Sequence, residues 1–363
     1  MPDTIKIGNR LIGPGQPVFI IAEAGVNHNG DLKRALELVY AAAEAGADAV
    51  KFQTFSAERL VTHLSPKAQY QCETTDPRES QYDMLKKLEL SPEAHRELKL
   101  RAEKHEMVFL STPFDSESAD MLEKLDVPAF KIGSGELTDL PLLEHIAKKM
   151  KPMILSTGMS WPGEVEQAVR TIKKAGQEQI ALLHCVSAYP APEAEANLRA
   201  VQFLQKEFNV PVGYSDHTEG IHVAVLAVDC GACIVEKHLT LDRNLPGPDH
   251  RMSLEPKEFA TMVRDIRDPD AFKSVLRDIG DPKRIKGDGD KKPMPSEESN
   301  RRIARKSVVA LVDIKAGRPL TREMLGVRRP GIGIQPVDLE SLIGRTRPMD
   351  APAGTVLFPE MLA

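Results

Sequence analysis

Cysteine is scarce, with four residues in a chain of 363, and that excludes the disulfide framework of a small secreted protein. No apolar stretch approaches the ~20 residues that span a bilayer. The opening MPDTIKIGNRLIG has neither the basic nor the apolar region of a signal peptide. An excess of one charge is also missing: 48 Lys and Arg against 53 Asp and Glu leave a net charge of −5. Nothing electrostatic then favours nucleic acid or an anionic membrane as a partner, and the cytoplasm is the expected compartment. Among the cysteines, Cys230 and Cys233 form a C-x-x-C. No second such pair exists to complete four thiolate ligands, so they read as small hydrophobes between a helix end and a buried strand.

What the chain does have is an ordinary soluble composition, 41% apolar and 28% charged, and length for one large domain plus a small one. Up to about residue 270, short β-rich runs alternate with helical patterns. The runs are 18–24, 48–54, 107–112, 128–134, 152–157, 180–185, 211–216 and 233–238. Their continuous apolarity suits parallel strands buried on both faces. Between them, Leu32, Leu36, Val39 and Ala43 share one helical face, as do Val165, Val169 and Ile172. Further helices are expected near 92–104, 116–125, 139–149, 196–208, 219–229 and 256–268. Eight βα units predict an α/β fold, a (β/α)₈ TIM barrel over residues 1–270, with an open doubly wound sheet as the weaker alternative. Residues 271–301, rich in Asp, Lys, Gly and Pro, read as a solvated linker. Residues 302–363, with short β-like runs and many turns, read as a small, mostly β domain that leans on another surface.

In such a barrel the chemistry lies where the strands end. The polar residues closing the runs are Glu23, Lys51 and Gln53, Thr112, Ser134 and Glu136, Ser156 and Thr157. They continue with Ser187 and Tyr189, Ser215 and His217, and Lys237 and His238. Lysine and hydroxyls beside small turns (GSGE, STGM) suit an anionic phosphate or carboxylate. His217 and His238 suit a divalent metal with open positions for water and substrate. Imidazole with oxygen ligands permits Mn²⁺, Fe²⁺, Co²⁺ or Zn²⁺. His28, in an NHNG turn, competes as ligand or as loop support.

The segments IIAEAGVNHNGD, VKFQTF, STPFD, KIGSGE, LSTGM, GYSDHTEG and VEKHLTLDRNLPGPDH resemble the sialic acid synthase family. The tail IARKSVVA…RRPGIGI…LIGR resembles the antifreeze-like (SAF) domain that follows the barrel in that family. The resemblance implies a transferase that condenses phosphoenolpyruvate with an N-acyl amino sugar, and a domain-swapped homodimer. It implies a metal at His217 and His238, Mn²⁺ first with Mg²⁺ or Co²⁺ as alternatives. Lys51, Thr112, Ser134, Ser156, Ser187 and Ser215 would line the phosphoenolpyruvate pocket. Gln53, Glu136, Tyr189 and Asp249 would contact the sugar, and Glu23 would sit beside the reacting centre. The catalytic set would be Glu23, Glu136 and Lys51, with Glu23 or Glu136 moving the proton. Arg329 would reach across the dimer to the N-acyl group. Three departures stand out: Ser187 where the family often has Asn, Arg251-Met252 where Lys-Ala is usual, and a longer linker.

N-acetylmannosamine, giving N-acetylneuraminate, is the expected sugar. The alternative is a 2,4-diacetamido-2,4,6-trideoxymannose, giving legionaminic acid. A non-catalytic carbohydrate-binding protein would have no need of Lys51, two histidines and two acids on one rim.

Overall fold

The computed structural model describes residues 4–362. A short hairpin, β1 (Ile5–Ile7) with β2 (Arg10–Ile12), opens the chain. Eight parallel strands follow: β3 (Phe19–Gly25), β4 (Ala49–Thr54), β5 (Val108–Pro113), β6 (Phe130–Ile132), β7 (Met153–Ser156), β8 (Ile180–Cys185), β9 (Val212–Asp216) and β10 (Ile234–His238). Their ladder runs β5-β4-β3-β10-β9-β8-β7-β6. β5 and β6 lie side by side across the remaining gap, which nearly closes the TIM-like barrel.

Each strand fell within about two residues of its expected place, because burial on both faces leaves a signal that needs no tertiary knowledge. Most helices between the strands were nearly as legible, though Gln69–Thr74, Gln81–Lys86 and Pro269–Asp278 were not expected. Leu32–Glu44 begins at Asp31, whose side chain accepts from the Lys33 and Arg34 amides, and Pro92–Lys104 begins at Ser91. No helix among the described residues is long and apolar enough to cross a membrane.

Side chains alternate along each strand, and this parity builds the site. Outward residues such as Ile20, Val50, Phe109, Leu155 and Leu182 pack against the helices. Inward residues are apolar only at the N-terminal end, where Phe19, Ile21, Ala49, Leu110, Ile154, Leu183 and Ile234 meet Ile5, Ile7 and Ile12 of the hairpin. The hairpin thus plugs the barrel floor. Two residues further along the same inward parity, the side chains become ionic or hydroxylic.

The small domain pairs β11 (Ser307–Ala310) antiparallel with β12 (Leu325–Arg328). It closes over its own core of Val308, Ile314, Leu320, Leu325, Leu339 and Leu357. It leans on the barrel of the same chain: the Arg329 amide donates to Leu60 O at 2.9 Å, and Arg329 O accepts from Thr62 N at 3.1 Å and Ser65 Oγ at 2.9 Å.

Residues 271–301, expected as a solvated linker, do lie largely at the surface, but they are ordered along the barrel. The helix Pro269–Asp278 and a short turn Pro282–Lys286 occupy its first half. The second half crosses the barrel mouth with Lys291 and Glu297 buried. Lys291 and Glu297 partner backbone groups of the barrel, while most of the other charged side chains of the segment stay at the surface.

Candidate active site

The inward ionic layer gathers at the C-terminal end of the barrel. Strand register sets Glu23 beside Lys51 on one side and beside His238 on the other. Lys51 Nζ lies 2.7 Å from Glu23 Oε2 and 3.8 Å from Glu236 Oε1, and donates to Thr112 Oγ1 at 3.2 Å. Lys131 Nζ donates to Ser156 Oγ at 2.8 Å and lies 3.4 Å from Glu236. Two lysines thus face two carboxylates in a buried array. Burial pushes Lys51 down, but Glu23 and Glu236 outweigh it and hold it above its ordinary value. Burial raises Glu23 against the pull of Lys51, and burial lowers Lys131.

One cavity joins this layer to the rim. Its lining includes Lys51, Lys131, Thr112, Ser134, Ser156, Ser187 and Ser215. It also includes Gln53, Glu136, Tyr189, Asp249 and Arg329. Gln53 Nε2 donates to Glu23 Oε1 at 3.0 Å. Arg329 stacks over Phe114 with its guanidinium 5.3 Å from the ring centre, and reaches Glu136 Oε1 at 3.4 Å. Glu136 Oε2 and Arg329 Nε have no protein partner, so both keep capacity for a ligand. Burial and the nearby Glu23 push Asp249 up to about 7, so this carboxyl can hold a proton near neutral pH.

His217 and His238 line the same cavity, their ring centres 5.4 Å apart. His217 Nδ1 faces Val186 O at 2.8 Å and Cys185 Sγ at 3.6 Å, which turns Nε2 away from both. Burial works against its charge, yet Cys185 and the Val186 carbonyl hold His217 up at about 9. Burial and His217 keep His238 well below its ordinary value, hence neutral and able to ligate. Among the described residues no group of three or more His, Cys, Asp or Glu converges as a closed metal cluster. His238 Nδ1 has no protein hydrogen-bond partner, so the pair would fit an ion that takes its other ligands from water and substrate.

Every residue selected at the strand ends lines this cavity, apart from two. Thr157 Oγ1 bonds the Leu183 carbonyl, and Lys237 points outward to Asp216 at 2.7 Å. His28 supports its loop by accepting from the Gly30 amide at 2.9 Å. Cys230 and Cys233 are free, buried thiols. Arg329 reaches the cavity of its own chain, whereas the resemblance implied delivery from a partner. Lys131, Cys185 and Glu236 were missed. Counting by twos would have found two of them, since Glu236 stands two before His238 and Cys185 two before Ser187.

Residues 38–275 match the NeuB family and residues 305–363 match the SAF domain. N,N'-diacetyllegionaminic acid synthase of Campylobacter jejuni is 48% identical over 329 residues, 90% of this chain and 95% of that one. Human N-acetylneuraminate-9-phosphate synthase is 37% identical over 339 residues, 93% of this chain and 90% of that one. The crystal structure of the spore coat polysaccharide biosynthesis protein SpsE from Bacillus subtilis superposes with a TM-score of 0.83 at 37% identity, covering 99% of both chains. A barrel with this rim, followed by this tail, belongs to the NeuB family of sugar acid synthases, with a SAF domain at its C-terminal end.

Proposed function

We propose that this chain condenses phosphoenolpyruvate with a 2,4-diacetamido-2,4,6-trideoxymannose, releasing phosphate and forming a legionaminic acid. The observation that carries the reaction class is one cavity lined by Lys51, Lys131 and five Ser and Thr hydroxyls together with Gln53, Glu136, Arg329 and two imidazoles. The sugar is favoured by the 48% identity to the Campylobacter legionaminic enzyme against 37% to the human neuraminate enzyme. A cavity wall of Val26, Met84, Leu85 and Ile303 also suits a deoxy carbon and acetamido methyls better than free hydroxyls. N-acetylmannosamine is the second reading.

Lys51, Lys131 and the hydroxyls of Thr112, Ser134, Ser156, Ser187 and Ser215 offset the phosphate and carboxylate charge. C3 of phosphoenolpyruvate bonds to the aldehyde carbon of the open-chain sugar, whose oxygen takes a proton. Water adds at C2, and C–O cleavage of that tetrahedral centre expels phosphate. His217 and His238 would hold a divalent ion, Mn²⁺ in the first instance, which would supply Lewis acidity at the aldehyde oxygen. Glu23 or Asp249 carries the proton, while Gln53, Glu136, Tyr189 and Arg329 orient the sugar. Exchange of small domains between two chains would rebuild the Arg329 contacts across a homodimer.

Phosphate release from phosphoenolpyruvate with Mn²⁺ tests this reading. The diacetamido sugar is expected to give kcat/KM at least about tenfold above N-acetylmannosamine. The reverse ratio would move the assignment to the neuraminate branch, and no release with either sugar would remove the synthase reading. Arg329→Ala is expected to raise the sugar KM about 10- to 100-fold, the cost of one buried charge-assisted hydrogen bond. An unchanged sugar KM would take Arg329 out of the sugar site.

A further inference from the structure

Of residues 291–305 the chemistry above uses only Ile303, yet that segment grips the cavity wall. Glu297 is fully buried, and its carboxylate accepts three backbone N–H bonds. Oε1 takes Met159 N at 2.7 Å and Ser187 N at 2.6 Å, and Oε2 takes Met294 N at 2.8 Å. Met159 and Ser187 lie on different barrel loops, those after β7 and β8. Their carbonyls are held as well: Ser187 O accepts from Asn300 Nδ2 at 2.7 Å, and Met159 O from Arg305 at 3.1 Å. Lys291 Nζ donates to the next carbonyl, Ser160 O, at 2.8 Å. Both residues are thus fastened at N–H and C=O by one stretch of chain.

Those two loops carry part of the phosphoenolpyruvate wall. The Gly158 amide, one residue before Met159, donates to Ser134 Oγ at 2.9 Å. A Cβ on Gly158 would come within 2.2 Å of Ser187 Oγ and 2.8 Å of Ser134 Oγ. The Gly158 backbone is therefore wedged against two hydroxyls, and a shift of Met159 or Ser187 carries those hydroxyls with it. Burying a carboxylate costs several kcal/mol, and three charge-assisted N–H bonds offset that cost only while all three donors stay in place. The arrangement holds the loops to one geometry.

We propose that residues 291–305 form a clamp that positions the Ser134, Gly158 and Ser187 wall of the phosphoenolpyruvate subsite, with Glu297 as its positioning residue. The proposal rests on the subsite assigned under the proposed function. Glu297 touches no substrate and acts through the backbone of the two loops. Because the clamp runs directly into β11, seating of the small domain and order at that wall become one event.

The test is calorimetric titration of phosphoenolpyruvate into the metal-loaded full chain, together with steady-state kinetics for both substrates. Glu297→Ala is expected to weaken phosphoenolpyruvate binding about tenfold and raise its KM by the same factor, with the sugar KM within about twofold. Glu297→Gln keeps one oxygen for Met159 and Ser187, so about a threefold loss is expected. This milder variant carries the test if the alanine variant fails to fold. A merely structural role would lower Tm and the active fraction while leaving phosphoenolpyruvate affinity at the wild-type value, and that result overturns the clamp. Failure of the wild-type protein to bind phosphoenolpyruvate would instead sink the proposed function, and the clamp's purpose with it, before any variant is compared.

Discussion

Lys51→Met is expected to lower kcat/KM by about 10²- to 10³-fold, the typical loss when one preorganised charge is removed from a dry site. The ammonium is almost wholly buried, with Glu23 at 2.7 Å and Thr112 at 3.2 Å. No water can take its place at the phosphate without opening the array. The same change leaves Glu23 without its cation, and breaking a buried pair costs about 3–5 kcal/mol of stability. That cost depends on pH. Burial already raises the Glu23 carboxyl above its ordinary value, and removal of Lys51 raises it further. A carboxyl raised in the folded state binds more protons there than in the unfolded chain. Stability therefore falls as pH climbs from the unfolded value through the folded one. The Tm deficit of the variant should be small near about pH 5 and larger toward about pH 8. Wild-type kcat/KM in a folded Lys51→Met protein would remove Lys51 from the reaction. A Tm deficit that shrinks as pH rises would contradict the buried pair.

His217→Ala is expected to cost about 10³-fold in turnover, on the order of 4 kcal/mol, with partial recovery at excess Mn²⁺. His217 and His238 are the two imidazoles that face the cavity at 5.4 Å. Losing one leaves a single imidazole and weakens metal affinity. Bound Mn²⁺ measured by equilibrium dialysis should fall in parallel with activity. Near-normal turnover with unchanged metal dependence would take His217 out of the ligand set. In the intact protein His217 sits up at about 9. Metal binding must then displace a proton from it at neutral pH, and apparent affinity should rise with pH through the neutral range.

The rim residues were legible because a parallel barrel sends the ends of its strands to one face, whatever the loops do. Glu23, Lys51, Thr112, Ser156, Ser215 and His238 were found by asking only where each apolar run stops. The layer beneath was harder. Lys131 and Glu236 sit inside β6 and β10, and a charged residue within an apolar run reads as an interruption until strand parity is counted. Register sets only Glu23 beside Lys51, whereas Lys131 on β6 meets Glu236 on β10 across the barrel interior. Arg329 was recognised as a residue of the site, but the resemblance alone assigned it to a partner; in one chain it packs on Phe114 and Glu136 of its own barrel.

Residues 271–301 show the limit of composition. GDPKRIKGDGDKKPMPSEESN has the chemistry of a solvated tether, and nothing local distinguishes Glu297 from Glu298. Glu297 is buried and Glu298 is exposed, because the amides of Met159 and Ser187 lie where the first can reach them. Local pattern determined the strands, the helices and the rim, since hydrophobic periodicity and strand ends are properties of neighbouring residues. Only the tertiary structure decided which charges meet and which polar segment becomes part of the wall. An unpaired backbone group acquires its partner from whatever the fold brings within hydrogen-bond distance.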